Sequence, residues 1–266
     1  MNAAVQTQAE PILLRHDAAG VATLTLNRPA QFNSLSEEML AELQAALFAI
    51  AADPAVRVVV IAGAGKAFCA GHDLKQMRAN HRKEYMQQLF RQCGKVMTTI
   101  IAMPQPVIAR VHGIATAAGC QLAAMCDLAV AVDTARFAVS GINVGLFCAT
   151  PSVALSRAMG RKEAMEMLLT GDFIDAAEAK SRGLINRVVT ADQLDTEVKK
   201  LTDSICAKSA VAVAMGKQMF YRQLEMGFDG AYQLASETMA CNMMADDAGE
   251  GIDAFMEKRK PVWTGR

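Results

Sequence analysis

The residues best suited to carry chemistry lie in segment 115–122, ATAAGCQL, which follows an apolar stretch at 107–111. The segment predicts the start of a helix whose first turn is built from alanine and glycine. Such a turn leaves the first backbone N–H groups of the helix uncovered, and the helix dipole adds positive potential there. A carbonyl oxygen that gains negative charge could be stabilised by these donors. The segment therefore indicates an oxyanion site.

A second segment of small residues, 67–74, also follows an apolar run and precedes a predicted helix. Two strand-to-helix turns of this kind can each supply one N–H group to a single oxygen. Spacing alone leaves close packing as an alternative, because glycine and alanine also occur at such junctions to let elements approach. Gln121, about one helical turn into the first segment, is an amide where a carboxylate would be expected, so the group that moves protons is unassigned.

Strand-like and helix-like patterns alternate along most of the chain, which favours an α/β fold with a mainly parallel sheet. Residues 56–62 are nearly all apolar, as in a parallel strand covered on both faces. Ser36 and Asp175 are typical helix N-caps, and Thr150 followed by proline predicts a third helix start. From about 191 to 260 the pattern is helical and lacks strand signals.

Composition excludes several functional classes. The 266 residues include 27 basic and 27 acidic side chains, a balance that gives no strong field toward nucleic acid or an anionic membrane. The seven cysteines are dispersed without a CxxC pair, which is typical of reduced thiols and predicts no metal site. The polar residues 1–11 match neither a signal nor a transit peptide, and no apolar stretch is long enough for a membrane span. We therefore expect a cytoplasmic protein with a disordered tail at 1–11.

Several motifs, taken in order, resemble the enoyl-CoA hydratase/isomerase (crotonase) family over about residues 12–260. They are NRP at 27–29, NSL at 33–35, AFCAGHDL at 67–74, the stretch 113–127, the stretch 171–188 and AFMEKRK at 254–260. The resemblance implies a crotonase-like spiral of ββα turns at 12–195. It also implies a helical C-terminal portion at 196–266, and assembly as a trimer or a dimer of trimers.

The resemblance also implies a substrate and a site. Family members bind acyl-CoA thioesters and stabilise an enolate-type oxyanion with two backbone N–H groups, which by position belong to His72 and Ala118. Coenzyme A is part of the substrate, and no separate cofactor is implied. The remaining residues that the resemblance assigns to CoA are Arg28, Ala70, Asp73, Leu74 and Lys258. Lys258 could come from a neighbouring subunit, although a solvated helix end is an equally good interpretation of 258–260.

The sequence departs from the family at the two positions where its hydratases carry glutamates. Gln121 and Gly141 occupy them. A primary amide can position a water but cannot act as a general base, and glycine offers no side chain. Because one general acid or base contributes about 10²–10⁴-fold, ordinary hydration is expected to be very slow. Packing is the stronger interpretation for the other candidates, Asp127, the His72 side chain and Cys148.

Three functional hypotheses remain. The leading one is an enzyme that acts on an acyl-CoA through an oxyanion, by isomerisation, thioester hydrolysis or decarboxylation. The second is a catalytically silent acyl-CoA-binding protein, which would show affinity without turnover. The third is a structural subunit with a vestigial site, which would show no affinity for CoA.

Overall fold

The computed structural model of the chain describes residues 10–266. The disordered tail predicted at 1–11 therefore falls mainly outside the described residues. Pro11 lies within them, and its carbonyl oxygen accepts a hydrogen bond of 2.9 Å from the side-chain amide of Asn27.

Ten strands of the described residues form two sheets, and from β3 to β8 the chain alternates between them. The strands are β1 Leu13–Ala18, β2 Val21–Leu26, β3 Val58–Gly63, β4 Ala67–Cys69, β5 Val107–Val111, β6 Ile114–Thr116, β7 Leu128–Val132, β8 Arg136–Ala138, β9 Ile174–Asp175 and β10 Arg187–Val189. The larger sheet has the order β1-β2-β3-β5-β7-β10, and the smaller has the order β4-β6-β8-β9. Pairing is parallel except between β1 and β2 and between β8 and β9. This alternation confirms the predicted α/β spiral.

Helices connect the strands and then form the C-terminal portion. They are α1 Glu37–Ala51, α2 Leu74–Ala79, α3 Lys83–Ala102, α4 Ala118–Met125, α5 Ala149–Ala158, α6 Arg161–Thr170, α7 Ala176–Ser181, α8 Leu194–Cys206, α9 Ala210–Gln223, α10 Phe228–Met243 and α11 Asp246–Met256. The predicted caps Ser36 and Asp175 are confirmed, because their side chains accept backbone N–H groups of α1 and α7. The predicted helix start at Thr150 is wrong. The N-cap is Cys148, so α5 begins two residues earlier than predicted, and Pro151 lies within its first turn, where its missing N–H is not needed.

The main core lies between the larger sheet and the helices that cover it. Val58, Val59 and Ile61 of β3 have no exposed surface, as expected for a strand covered on both faces. Leu40 and Leu47 of α1 are also fully buried, and α1 packs against α3. The core therefore gives the strands a rigid frame, and the turns at their ends are positioned by it.

A buried ion pair fastens helix α9 to this core. The Lys217 ammonium lies 2.7 Å from the Asp127 carboxylate and also donates to the carbonyl oxygens of Ile100 and Gln105. The Tyr221 hydroxyl donates to the same carboxylate at 2.8 Å. Burial, opposed by the attraction of Asp127, lowers the pKa of Lys217. These contacts support a structural role for Asp127, because its carboxylate oxygens accept hydrogen bonds from two side chains of α9.

The division of the chain at residue 195 stays a prediction, and α8 runs across it. Within residues 10–266 no helix is both long and apolar enough to cross a membrane. The same residues contain no group of three or more histidine, cysteine, aspartate or glutamate side chains arranged to hold a metal ion.

Candidate oxyanion site

The first turn of the site follows β4 and is built around Gly71 and His72. Gly71 has φ +90°, a conformation that glycine adopts without steric cost. The Leu35 N–H donates to the Gly71 carbonyl at 2.7 Å, and the Asp73 N–H donates to the Leu35 carbonyl at 3.4 Å. Between these two bonds, the His72 N–H donates to no group of the described residues. The turn therefore holds one free donor in a fixed backbone.

The second turn joins β6 to α4 and is built around Ala117 and Ala118. Ala117 has φ 50° and ψ −121°, and its N–H donates to the Ala138 carbonyl at 3.0 Å. This conformation is strained for a residue with a side chain, at a cost of about 1–3 kcal/mol. Ala118 is the first residue of α4, and its N–H has no acceptor among residues 10–266. The second turn thus provides a second free donor.

The two turns touch. A Cβ atom placed on Gly71 would lie 2.9 Å from the Cβ of Ala117 and 3.0 Å from the nitrogen of Ala118. His72 and Ala118 line one cavity of about 540 Å³, within the usual range of small-molecule sites. The structure therefore brings together the two residues that were expected to carry the donors.

The wall of this cavity is mostly apolar. Its large apolar side chains include Met77, Phe90, Val144, Leu146, Phe147 and Pro151. Ala70, Asp73 and Leu74, which were expected to contact CoA, also line it, and Leu74 is exposed at its edge. Lys75 adds a cationic group to the same wall. The cavity thus combines two free N–H donors with an apolar chamber and one positive charge.

Arg28 is engaged inside the protein. Its guanidinium donates to the Asp73 carboxylate at 3.1 Å and to the Ser34 carbonyl at 2.9 Å. The other Asp73 oxygen caps α2 by accepting from the N–H groups of Lys75 and Gln76. Burial acts to raise the pKa of Asp73, but these hydrogen bonds and the Arg28 charge outweigh it, so the pKa is lowered. An approach of Arg28 to phosphate groups stays a prediction.

The His72 side chain is packed into the protein. Its ring meets Phe90 edge to face, with 5.4 Å between the ring centroids. Both ring nitrogens are buried and lack a hydrogen-bond partner among the described residues. Burial lowers the pKa of the imidazole, so the ring is neutral at pH 7. These contacts favour the packing role for the side chain.

Residues 121 and 141, where the resemblance implies glutamates in hydratases, differ from each other in their surroundings. Gln121 is buried, its Oε1 atom has no partner among the described residues, and the residue is absent from the cavity wall. Gly141 does line the cavity, but a Cβ atom there would lie 2.5 Å from the Leu146 carbonyl oxygen and 2.7 Å from the Cys148 sulfur. Burial raises the pKa of Cys148, which keeps it a thiol. Position 141 is therefore filled by neighbouring atoms, with no room for a longer side chain.

Sequence reasoning missed a hydroxyl pair beside the second turn. Thr116 Oγ1 lies 2.9 Å from Ser140 Oγ, and Ser140 lines the cavity. The sequence carried no signal for the pair, because the two hydroxyls meet only in the folded chain and the strain at Ala117 is a property of the folded backbone.

Lys258 follows α11, with φ 58°, and is exposed. It is absent from the cavity wall formed by the described part of a single chain, so its contact with CoA from a neighbouring subunit stays a prediction. The adjacent Arg259 is paired with Glu250 and Glu257.

Known proteins resemble this chain over nearly its whole length. The sequence profile of the family described as enoyl-CoA hydratase/isomerase matches residues 16–266. Enoyl-CoA hydratase domain-containing protein 3, mitochondrial, from Xenopus laevis is 45% identical over 264 residues, which cover 99% of this chain and 90% of that protein. The human protein of the same name is 44% identical over 245 residues, which cover 92% of this chain and 81% of that protein.

Solved structures of similar proteins share the fold of this chain. The crystal structure of an enoyl-CoA hydratase from Mycobacterium smegmatis has a TM-score of 0.94 and 61% identity, and covers 96% of this chain and 99% of that chain. The structure of the human enoyl-CoA hydratase domain-containing protein 3 has a TM-score of 0.93 and 43% identity, with coverages of 95% and 100%.

The names of the vertebrate relatives place those proteins in mitochondria, which contradicts the prediction of a cytoplasmic protein. The prediction was wrong because targeting information lies in separate terminal segments, and the composition of a domain does not record its compartment. The matches extend over almost all of the sequence and over the fold. The chain belongs to the enoyl-CoA hydratase/isomerase (crotonase) family.

Proposed function

We propose that the protein binds an acyl-CoA thioester and stabilises an enolate or oxyanion on the N–H groups of His72 and Ala118. The observation that carries this proposal is the pair of free donors, which lie in two touching turns and line one cavity. Donors held in a water-poor chamber stabilise developing charge more strongly than water does, because they need no reorganisation during the reaction. The apolar wall suits the acyl chain, and Lys75 suits a negatively charged part of CoA.

The proton chemistry differs from that of a hydratase. Within residues 10–266, Asp73 is the only carboxylate on the cavity wall, and its oxygens are engaged by Arg28 and by the start of α2. Addition of water across a double bond needs one group to deprotonate the water and another to protonate carbon. We therefore favour reactions in which the oxyanion forms without a carboxylate base. Loss of carbon dioxide from an α-carboxyacyl thioester such as malonyl-CoA is one, since the electrons of the broken Cα–CO₂ bond pass to the thioester oxygen as an enolate, and solvent water then protonates Cα.

A catalytically silent acyl-CoA-binding protein is the second candidate. The crowding at Gly141 favours it, because that position cannot hold a catalytic side chain without moving the Leu146 carbonyl. For the same reason, the double substitution Gln121→Glu with Gly141→Glu is not expected to restore hydration. A structural subunit with a vestigial site is the third candidate.

We also propose self-association as a trimer or a dimer of trimers. Neither α9 nor α10 has a buried apolar residue in the single chain. Large apolar side chains on or next to these helices are exposed, among them Phe220, Leu224, Phe228, Tyr232 and Met239. An apolar surface of this kind marks a site of association. Sedimentation velocity should therefore give a mass of three or six chains.

Incubation with a panel of thioesters tests the proposed function. The panel contains crotonyl-CoA, malonyl-CoA, a saturated acyl-CoA and free CoA, and mass spectrometry reads both complexes and products. A product from any thioester supports the enzyme, and complexes without product support the silent binding protein. Absence of all complexes would contradict the proposal and leave the vestigial subunit. Hydration of crotonyl-CoA at the rate of ordinary hydratases would contradict the argument about residues 121 and 141.

A further inference from the structure

We propose that the Thr116 and Ser140 hydroxyls form a clamp that holds the strained Ala117 and so aims the Ala118 N–H into the cavity. The clamp is defined by the bond of 2.9 Å between Thr116 Oγ1 and Ser140 Oγ. Both are positioning residues, because they act through the backbone of the second turn. The inference rests on the proposed function of the site and adds the reason why its second donor stays in place.

The need for a clamp follows from the strand pairing. Strands β6 and β8 pair in parallel, and their register ends with Thr116 opposite Ala138. Past this point the Ala117 N–H still reaches the Ala138 carbonyl, at 3.0 Å. Beyond that bond the backbones separate, since residue 140 begins a 3₁₀ turn and Ala117 turns into α4. The hydroxyl pair therefore links the end of β6 to the segment that follows β8, where the strand pairing has ended.

The conformation of Ala117 makes this bond consequential. Its φ of 50° with ψ −121° is unfavourable for alanine, so the turn stays in place only while its surroundings enforce it. The start of α4 supplies no help, because no side chain caps it. Gly71 closes one side of the turn, where an added Cβ would lie 2.9 Å from the Ala117 Cβ. The hydroxyl pair bonds the side chain of the residue that precedes Ala117 to Ser140.

The clamp also separates positioning from binding. Thr116 contributes no atom to the cavity wall, and Ser140 contributes to it beside Gly141. Removal of the Thr116 hydroxyl should therefore weaken polarisation of the thioester carbonyl more than it weakens binding of CoA.

The test uses Thr116→Val and Ser140→Ala in the full chain, with Thr116→Ser as the variant that keeps a hydroxyl. Isotope-edited infrared spectroscopy of a bound saturated acyl-CoA with a ¹³C=O label reports the carbonyl stretch, which falls in frequency as hydrogen bonds polarise it. In Thr116→Val and Ser140→Ala the frequency should return toward that of free thioester. In Thr116→Val, at a position outside the cavity wall, Kd should change by less than about threefold. Thr116→Ser should keep the frequency of the original protein.

Two further measurements keep the outcome decisive. Combining Thr116→Val with Ser140→Ala should add little to either single change, because one bond is being removed. Ser152→Ala is the matched control, since that exposed hydroxyl bonds only within α5, to the Ala149 carbonyl. It should leave the carbonyl stretch unchanged. An unaltered frequency in both clamp variants would overturn the proposal.

Hydrogen exchange in the ligand-free protein tests the clamp even if no thioester binds. The Ala117 amide, which is bonded to the Ala138 carbonyl, should exchange about tenfold or more faster in Thr116→Val, and amides of α1 should not change. Equal exchange of the Ala117 amide in the two proteins would contradict the clamp. Failure of every thioester to bind would contradict only the proposed function.

Discussion

The two turns of the oxyanion site reach the same result by different means. The first uses a glycine, Gly71, whose φ of +90° is natural for that residue, and is followed by a helix capped by Asp73. The second places an alanine, Ala117, in a strained conformation and leads into a helix without a side-chain cap. In the first turn local sequence permits the conformation. In the second, tertiary contacts impose it.

Those contacts are close on the side that faces the first turn. A Cβ atom on Gly119 would lie 2.1 Å from the Cys69 carbonyl oxygen, so α4 starts against the end of β4. The second turn thus packs directly against the first. A change in the first turn should therefore disturb both donors, and a change in the second should disturb one.

Gly71→Ala should have the largest effect. The new methyl group would meet Ala117 and the nitrogen of Ala118, in a backbone conformation that alanine avoids. The free energy of unfolding should fall by about 3 kcal/mol, and polarisation of a bound thioester carbonyl should be lost. Urea unfolding and infrared spectroscopy measure the two effects.

Gly94→Ala is the matched control for Gly71→Ala. It lies in α3 with no atom within 4 Å of the added methyl group, and should stabilise the protein by up to about 1 kcal/mol. If Gly71→Ala proved as harmless as Gly94→Ala, the two turns would not depend on each other.

Ala118→Pro should remove the second donor with less damage to the fold. Proline is tolerated at the first position of a helix, where its missing N–H has no intrahelical partner. Loss of one oxyanion donor typically costs about 10²–10³-fold in turnover. Ala118→Gly keeps the N–H and serves as the control. Equal turnover of the two variants, or equal carbonyl frequency in a silent binding protein, would exclude the Ala118 N–H from the site.

Ala117→Gly should have a smaller effect, of the opposite sign on stability. Glycine relieves strain of about 1–3 kcal/mol and adds unfolded-state entropy worth about 0.4–1 kcal/mol. The free energy of unfolding should therefore rise by about 1 kcal/mol in urea titrations. A decrease would mean that the surrounding contacts leave no strain at Ala117 to relieve.

Local signals in the sequence predicted much of the fold and part of the site. Ser36 and Asp175 could be identified as caps because a cap depends on residues three positions away. The resemblance to the family assigned the second donor to Ala118, and a helix start agrees with it because the first N–H groups of a helix have no partner within the helix. The obstruction at Gly141 could not be predicted, since it comes from a carbonyl oxygen whose position depends on the 3₁₀ turn at Ser140–Val144.

The same distinction explains the other misses. The clamp joins residues 24 positions apart through side chains of common type, so neither residue stands out in the sequence. Engagement of Arg28 by Asp73 likewise spans 45 positions. Contacts of this length depend on the packed spiral, whereas motifs record only the order of residues.

The smallest predicted effect concerns pH and distinguishes the two turns chemically. The first turn contains a titratable imidazole, His72. Residues 116–119 of the second turn contain no titratable side chain, and the next residue, Cys120, is a buried thiol. Burial lowers the pKa of His72 in the folded protein. The unfolded chain therefore binds more protons below about pH 6.5. The contribution of His72 to stability is complete above that pH and is lost as the pH falls toward the folded pKa.

His72→Phe should consequently weaken the acid dependence of unfolding. Phenylalanine can keep the edge contact with Phe90 and has no proton to bind. Urea titrations at pH 7.5 and pH 5.5 should give a smaller difference in the free energy of unfolding than in the original protein. His112→Gln measures the separate contribution of His112, because burial lowers the pKa of that imidazole as well. An unchanged difference in His72→Phe would mean that the first turn opens to water before the ring is protonated, so that its backbone is held less firmly than that of the strained turn beside it.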